Sequence, residues 1–151
     1  MITVLCGGVG AARFLRALRG AADVVGATRM DRPEWIAVHP VTGEVFVTLT
    51  NNSQRGEPGR PGPDAANPRA RNLFGHIIRW REDGNDAAAS RFQWDFFALA
   101  GDPTVPGSET RYPTADTDLF GSPDGLHFDS GGLLWIQTDM SGQLMHKGDM
   151  A

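Results

Sequence analysis

A strand–turn–strand unit that occurs twice constrains the fold of this chain more than any other feature. The first copy lies within residues 30–53, MDRPEWIAVHPVTGEVFVTLTNNS, where apolar Ile36 and Val38 alternate with their neighbours as in a half-buried strand. The turn chemistry of residues 39–43 separates this strand from a second one over residues 44–50, which is rich in β-branched and aromatic residues. The sequence therefore predicts a β-hairpin with a charged start.

The second copy lies over residues 123–138, and it aligns with the first when one gap is allowed. The matched pairs are Pro33 with Pro123, Glu34 with Asp124, Ile36 with Leu126, Val38 with Phe128, Gly43 with Gly132, and Phe46 with Trp135. The repeat places one acid at the start of each hairpin, about two blade lengths of a propeller apart. Because the inner strands of a propeller surround a central channel, we expect Glu34 and Asp124 to converge there as part of a hard-cation site.

Composition argues against several classes of protein. The 151 residues suffice for one ordinary core, and the 19 glycines and 10 prolines indicate many turns. A net charge of −4 is unfavourable for a general nucleic-acid surface, and no apolar run approaches the roughly 20 residues that span a bilayer. The single cysteine excludes an internal disulfide. The first residues lack a basic segment before a long apolar core, so we expect no export signal and a cytoplasmic location.

Residues 1–20 differ in kind from the rest of the chain. A short apolar run is followed by a glycine turn and then by a stretch with helical periodicity. A strand, a glycine turn and a helix open many nucleotide-binding α/β folds, in which backbone N–H groups hold a phosphate. The pattern Gly8-x-Gly10-x-x-Arg13 lacks the third glycine of the dinucleotide fingerprint, and no Walker lysine follows.

The middle of the chain indicates β-structure connected by polar loops. Further strands are expected over residues 76–82 and 91–99. Their large hydrophobic residues, expected to pack between sheets, are Trp80, Trp94, Phe96 and Phe97. Residues 51–72 are rich in proline, glycine and arginine, so we expect a long surface loop whose arginines are either solvated or in contact with an anionic substrate.

Two further features carry little information. Asp116 and Asp118 form a D-x-D pair without the rest of a calcium loop, and His146 has no partner near it in sequence. The complete pattern predicts a mostly β fold in two units. A short β-α opening over residues 1–22 precedes a partial β-propeller of antiparallel meander blades over residues 23–151.

The opening string, MITVLCGGVGAARFLRAL, resembles the start of CofD-type 2-phospho-L-lactate transferases, which act in the biosynthesis of coenzyme F420. This resemblance covers residues 1–20. It implies that Gly7, Gly8, Gly10 and Arg13 lie at a substrate and nucleotide site. A lone strand and helix cannot form a parallel sheet, which needs crossover partners on both faces. A start without remaining function is therefore the alternative.

From about residue 23 to residue 148 the chain resembles the PhoX family of alkaline phosphatases, the DUF839 group. The strings that carry the resemblance are MDRPEWIAVHPVTGEVFVTLTNNS, NLFGHIIRWRED, RFQWDFFALAGDP and LFGSPDGLHFDSGGLLWIQTDMSG. The resemblance implies an exported β-propeller with iron and calcium ions at its centre that hydrolyses phosphate monoesters. It also implies that Glu34 is a carboxylate ligand of the metal cluster, that Asp124 is a calcium ligand, and that Arg32 is the catalytic cation that holds the phosphate.

Each of these residues has a second interpretation. Arg32 and Glu34 can form an ion pair at a strand start, and Asp124 can cap a turn. Two acids and one arginine are also too few ligands for a cluster of several metal ions, since one Ca²⁺ takes roughly 6–8 oxygens. We therefore expect a truncated PhoX-type phosphatase that is inactive alone. The alternatives are a CofD-like transferase fragment and a non-catalytic propeller module that associates through its open sheet edges.

Overall fold

The computed structural model describes residues 20–104, 108–114 and 119–140. Within these residues a helical stretch over residues 20–24 is followed by six strands and one 3₁₀ turn. The strands are β1 (Pro33–Val38), β2 (Val45–Leu49), β3 (His76–Glu82), β4 (Phe92–Leu99), β5 (Pro123–Phe128) and β6 (Leu134–Thr138), and the 3₁₀ turn spans Asp83–Asn85.

The strands form two antiparallel sheets. Strands β1 to β4 make a four-stranded meander in chain order, and β5 pairs with β6 in a separate hairpin. This confirms the mostly β prediction. The arrangement is consistent with one propeller blade followed by the first two strands of another. Among the described residues, no helix has the length and apolar character needed to cross a membrane.

The two copies of the repeat share one pairing pattern. The register in the first hairpin is Pro33↔Leu49, Ile36↔Val47, Ala37↔Phe46 and Val38↔Val45, and in the second it is Pro123↔Thr138, Leu126↔Ile136, His127↔Trp135 and Phe128↔Leu134. Both hairpins have a β-bulge after the first pair. Gly43 and Gly132 both take positive φ, 73° and 83°, in the turns, as the turn chemistry predicts.

The main core lies between the four-stranded sheet and the β5–β6 hairpin. The ring of Phe46 makes edge contacts with Phe97 on β4 and Phe128 on β5, at centroid distances of 5.0 and 5.1 Å. Such pairs add about 0.5–1.5 kcal/mol each to what burial of the rings contributes. Other buried members of this cluster are Ile77, Ala98, Ala100, Phe120 and Leu126. This packing holds the second hairpin against the first.

The opposite face of the four-stranded sheet carries a smaller cluster of Leu49, Ala66 and Ile78. Trp80 and Phe96 pack against it, on a face that no described sheet covers, so the predicted packing between sheets is wrong for these two residues and is confirmed for Phe97, which packs in the main core. The prediction is wrong for Trp94, which is 41% exposed. No sheet within the described residues covers this outer face, so the aromatic side chain at its rim stays accessible.

Residues 51–72 do not form the solvated loop that their composition predicts. Arg55 is 2% exposed and Arg69 is 7% exposed, so two of the loop's arginines are buried. Nε of Arg55 donates to Oδ1 of Asp31 at 2.6 Å, and Asp31 is itself fully buried. Arg69 donates to backbone oxygens at the end of β4 and in the following loop. The prediction fails because paired and hydrogen-bonded charges can be buried, and composition does not show the partners.

A second polar network lies where this loop enters β3. Nδ2 of Asn72 donates to Oδ2 of Asp31 at 3.0 Å and to Nδ1 of His76 at 3.1 Å. Because Nδ1 accepts, the proton is on Nε2, which donates to the backbone oxygen of Ala66 at 2.8 Å. Desolvation by burial lowers the pKa of His76 to about 4, so the ring is neutral near pH 7.

Some residues singled out in the sequence lie outside the described residues, and these are Gly7, Gly8, Gly10, Arg13, Asp116, Asp118 and His146. The expected boundary between residues 1–22 and 23–151 falls within the helical stretch at residues 20–24. The division into two units stays a prediction.

Candidate functional site

Two buried threonines of β2 and its end connect the starts of β1 and β5. Oγ1 of Thr48 accepts a hydrogen bond from the backbone N–H of Trp35 at 3.0 Å and donates to the backbone oxygen of Asp124 at 2.7 Å. Oγ1 of Thr50 donates to the backbone oxygen of Pro123 at 2.9 Å. Both threonines are fully buried, so removing a hydroxyl would leave buried polar groups without partners. The threonines therefore hold the two acid-bearing strand starts side by side.

Each strand starts at a backbone corner of the same unusual kind. Arg32 and Ser122 both lie in the left-handed region, with φ of 48° and 50°, and each precedes a proline. Such a conformation costs a non-glycine residue about 1–3 kcal/mol, which the surrounding structure has to offset. The backbone oxygen of Arg32 accepts from the N–H of Thr50 at 3.1 Å, and that of Ser122 accepts from the N–H of Asp139 at 2.9 Å. The two copies of the repeat therefore also share the left-handed residue before the proline and the backbone hydrogen bond that its carbonyl oxygen accepts.

The guanidinium of Arg32 lies at the surface where the two hairpins meet. Nε and Nη2 donate to Oε1 of Glu34 at 3.2 and 3.0 Å, and Nη1 donates to Oδ1 of Asn51 at 3.1 Å. A carboxylate oxygen of Asp139, which follows β6, is 3.6 Å from Nη2. The Arg32 side chain is nevertheless 49% exposed. The result is an oriented and accessible cation with the planar fork that suits phosphate oxygens.

The ion pair between Arg32 and Glu34, which the sequence left open as an alternative, is present. Exposed pairs of this kind contribute about 0–1 kcal/mol to stability. The pair is therefore a weak explanation for why an arginine occupies a strained corner. Its clearer effect is to orient the guanidinium, together with Asn51.

A buried network of charged and polar side chains fixes the backbone next to Arg32. Asp31, the residue before Arg32, accepts hydrogen bonds on Oδ1 from Arg55 at 2.6 Å and from Nδ2 of Asn52 at 2.8 Å. Its backbone N–H donates to Oδ1 of Asn67 at 2.9 Å. A residue held through both its side chain and its backbone restricts the position of the next one. The folded loop is therefore part of the support of the candidate site.

Glu34 and Asp124 are the two carboxylates that the resemblance implies as metal ligands. Glu34 accepts from Arg32, and Asp124 is half-buried with its backbone held by Thr48. Within the part of the chain that the structure describes, no group of three or more His, Cys, Asp or Glu side chains could hold a metal ion. These residues alone do not fit a calcium or iron centre, since one Ca²⁺ takes roughly 6–8 oxygens. Their role as ligands stays a prediction.

Sequence reasoning missed Asn51, Thr48, Thr50 and Asp139. The repeat contained a signal for the last three. The register matches Thr48 with Gln137 and Thr50 with Asp139, so the strand that follows each acid ends in polar residues on one face. On β2, where these positions face the core, a change from apolar to polar residues at one end indicates that this end contacts polar backbone or a site.

The chain is similar to PhoX proteins. The family model described as Alkaline phosphatase PhoX matches residues 6–150. Among solved structures, Pseudomonas fluorescens PhoX in complex with vanadate, a transition state analogue, is 46% identical, with a TM-score of 0.75. The match covers 96% of this chain and 25% of that chain, so this chain spans about a quarter of the length of the solved protein. No curated protein matches the chain.

These comparisons do not support the CofD-like start. The PhoX match begins at residue 6 and therefore includes the positions expected to bind a nucleotide, which are Gly7, Gly8, Gly10 and Arg13. Most of residues 1–20 thus fall in the same match as the β-hairpins. With a family match over residues 6–150 and a solved relative of 46% identity, the chain belongs to the PhoX family of alkaline phosphatases.

Proposed function

We propose that this chain provides the phosphate-holding part of a phosphate monoester hydrolase site, with Arg32 as the residue that binds the phosphate group. The observation that carries the proposal is the half-exposed guanidinium, oriented by Glu34 and Asn51 where the two hairpins meet. The solved relative is a complex with vanadate, a transition state analogue. Its chemistry supports a ligand of the phosphate type here as well.

The hydrogen bonds of Arg32 leave the correct donors for such a ligand. A guanidinium has five N–H bonds. Within the described residues, Glu34 accepts one from Nε and one from Nη2, and Asn51 accepts one from Nη1. One N–H on each of the two Nη atoms makes none of these hydrogen bonds, and Nη2 also lies 3.6 Å from the carboxylate of Asp139. A phosphate oxygen bound at Nη2 would therefore compete with Asp139, whereas the remaining N–H of Nη1 is a charge-assisted donor for a phosphate oxygen.

We also propose Glu34 and Asp124 as carboxylate ligands of the calcium and iron ions that the family resemblance implies. Carboxylate oxygens suit both hard cations, and such ions supply positive charge that stabilises phosphoryl transfer. The described residues contain too few ligands for this centre. The further ligands therefore come from residues outside the described ranges or from another polypeptide. In the second case the chain by itself is a phosphate-binding part of a site with little or no turnover, and this is the case that we propose.

Titration with inorganic phosphate and with vanadate, followed by calorimetry, tests the role of Arg32. The matched control is Arg81, whose side chain is also 49% exposed and also pairs with a glutamate, Glu44, at 3.4 Å. Arg32→Ala is expected to weaken binding about 10- to 100-fold, because a charge-assisted hydrogen bond contributes about 1.5–3 kcal/mol. Arg81→Ala is expected to leave the affinity unchanged. Equal effects of the two substitutions, or no binding by the unaltered chain, would refute the proposal.

Hydrolysis of p-nitrophenyl phosphate tests the proposed incompleteness separately. The chain is assayed with calcium and iron salts, and the expected rate equals that of the metal salts alone. A rate well above this background that Arg32→Ala removes would show a complete active site in this chain, and would contradict the proposed lack of turnover.

A further inference from the structure

The amide side chain of Asn67 holds the backbone that leads into Arg32. Its Oδ1 accepts a hydrogen bond from the backbone N–H of Asp31 at 2.9 Å, and its Nδ2 donates to the backbone oxygen of Arg29 at 3.1 Å. These two backbone groups belong to the peptide bonds on either side of Met30. One side chain therefore fixes two consecutive peptide groups.

Asn67 is itself fixed within the loop of residues 51–72. Its Nδ2 also donates to Oδ1 of Asp64 at 2.7 Å, and a β-bridge joins the backbones of Asp64 and Asn67. Asn67 is fully buried. A side-chain amide has one acceptor oxygen and two donor hydrogens, and all three are used here. The orientation of the amide is therefore determined by its partners.

The conformation of Arg32 needs such a restraint for two reasons. Its φ is 48°, in the left-handed region that is unfavourable for a residue other than glycine. It also precedes Pro33, and a residue before proline favours an extended conformation. Asn67 fixes the backbone before Arg32, and the N–H of Thr50 holds the backbone oxygen after it at 3.1 Å. With the backbone fixed on both sides, the direction of the Cα–Cβ bond of Arg32 is set as well.

The second copy of the repeat has a restraint of the same kind. Ser122 also takes positive φ before a proline. The hydroxyl of Tyr112 accepts a hydrogen bond from the backbone N–H of Phe120 at 3.0 Å, and it lies 2.8 Å from the backbone oxygen of the same residue. In both copies, a side chain from the preceding loop therefore holds the backbone one to three residues before the left-handed residue.

We propose that Asn67 is a positioning residue for Arg32, because it keeps Arg32 in the left-handed conformation that directs its guanidinium to Glu34 and Asn51. Without the amide of Asn67, Arg32 relaxes in part of the molecules towards the extended conformation that Pro33 favours. Only the molecules with the correct conformation bind phosphate tightly, so the apparent affinity falls with their fraction. This consequence for phosphate rests on the proposed function of Arg32, whereas the positioning itself does not.

NMR of the arginine Nε–H groups tests the positioning without a ligand. The Nε–H of Arg32 donates to Glu34 at 3.2 Å, so it is expected to give a signal protected from exchange with water, which Arg32→Ala assigns. Asn67→Leu keeps the approximate size of the side chain, removes its polar atoms, and is expected to shift or abolish this signal. Arg79 is the internal control, since its Nε and Nη2 donate to the carboxylate of Asp95 at 3.0 and 2.6 Å. Its signal is expected to stay unchanged.

Calorimetric titration with inorganic phosphate measures the consequence for binding. Asn67→Leu is expected to weaken binding about 3- to 10-fold, less than Arg32→Ala, because Thr50 and the carboxylate of Asp31 still restrain the backbone. Tyr112→Phe is the matched control, since it removes the hydroxyl that holds the second copy. It is expected to lower the melting temperature without changing the phosphate affinity or the Arg32 signal. If circular dichroism shows that Asn67→Leu does not fold, Asn67→Ser, whose polar atom is one bond closer to the backbone, takes its place.

Three outcomes would overturn the proposal. The first is an Arg32 signal that the substitution of Asn67 leaves unchanged. The second is a general effect, in which the Arg79 signal is lost as well or Tyr112→Phe acts like Asn67→Leu. The third is an unchanged affinity in a chain whose phosphate binding requires Arg32. If the unaltered chain does not bind phosphate but its Arg32 signal depends on Asn67, the positioning is supported and only the proposed phosphate site is refuted.

Discussion

Replacement of Asp31 by asparagine tests whether the buried charge network holds the loop of residues 51–72 against the sheet. Asp31→Asn keeps the size of the side chain and removes its charge. It also replaces one acceptor oxygen with a donor, and both oxygens of Asp31 accept hydrogen bonds, from Arg55, Asn52 and Asn72. The substitution therefore leaves the guanidinium of Arg55 without its buried negatively charged partner.

The expected loss of stability follows from the burial of the pair. Arg55 is 2% exposed and Asp31 is 0% exposed, and breaking a buried ion pair from one side costs roughly 3–5 kcal/mol. Arg55 retains Asp64 at 3.2 Å, but that carboxylate is 41% exposed. The remaining partner reduces the loss without cancelling it, so we expect a decrease of about 3 kcal/mol in the free energy of unfolding.

Urea unfolding followed by tryptophan fluorescence measures this change. With a slope of about 1–3 kcal/mol per molar, the midpoint should fall by roughly 1–3 M. The control is Asp23→Asn, which breaks the exposed pair with Arg29 at 3.0 Å, where the side chains are 47% and 67% exposed. Its expected effect is about 0–1 kcal/mol. If both substitutions lower the free energy of unfolding by the same amount, burial of Asp31 is not what stabilises the loop.

Two further predictions concern stability. His76 has a pKa lowered to about 4 by burial, whereas an unfolded histidine titrates near 6.5. Below that pH the unfolded chain binds a proton that the folded chain does not, so the free energy of unfolding should fall by about 3 kcal/mol between pH 6.5 and 4. Urea midpoints measured across this range should show the loss. His76→Gln should remove the part of the loss that comes from this histidine. At Gly75, φ is 72° and a Cβ would collide with the backbone oxygen of Thr50, whereas Gly59 has φ of 76° with open space. Gly59→Ala should cost about 1–2 kcal/mol for the left-handed backbone, and Gly75→Ala a further 1–3 kcal/mol or so for the clash; equal melting temperatures of the two variants would contradict this.

The sequence alone was sufficient for the elements that depend on local pattern. Alternation of apolar residues predicts β1 and β2, and Gly43 marks the turn between them because few other residues take positive φ without strain. The alignment of Glu34 with Asp124 predicted two equivalent hairpins, and the register confirms it. Chemistry of this kind acts within a few residues along the chain, so it is visible in the sequence.

Tertiary structure decided which polar residues are buried and what they hold. Thr48 and Asp124 are 76 positions apart, yet one hydroxyl connects the two strand starts. The sequence predicts Arg55 to be a solvated loop charge, but in the folded chain it forms a buried ion pair with Asp31, 24 positions away. A buried polar group is stable only with its partners in place. Those partners come from distant segments that meet after folding, and for this reason composition and periodicity could not predict them.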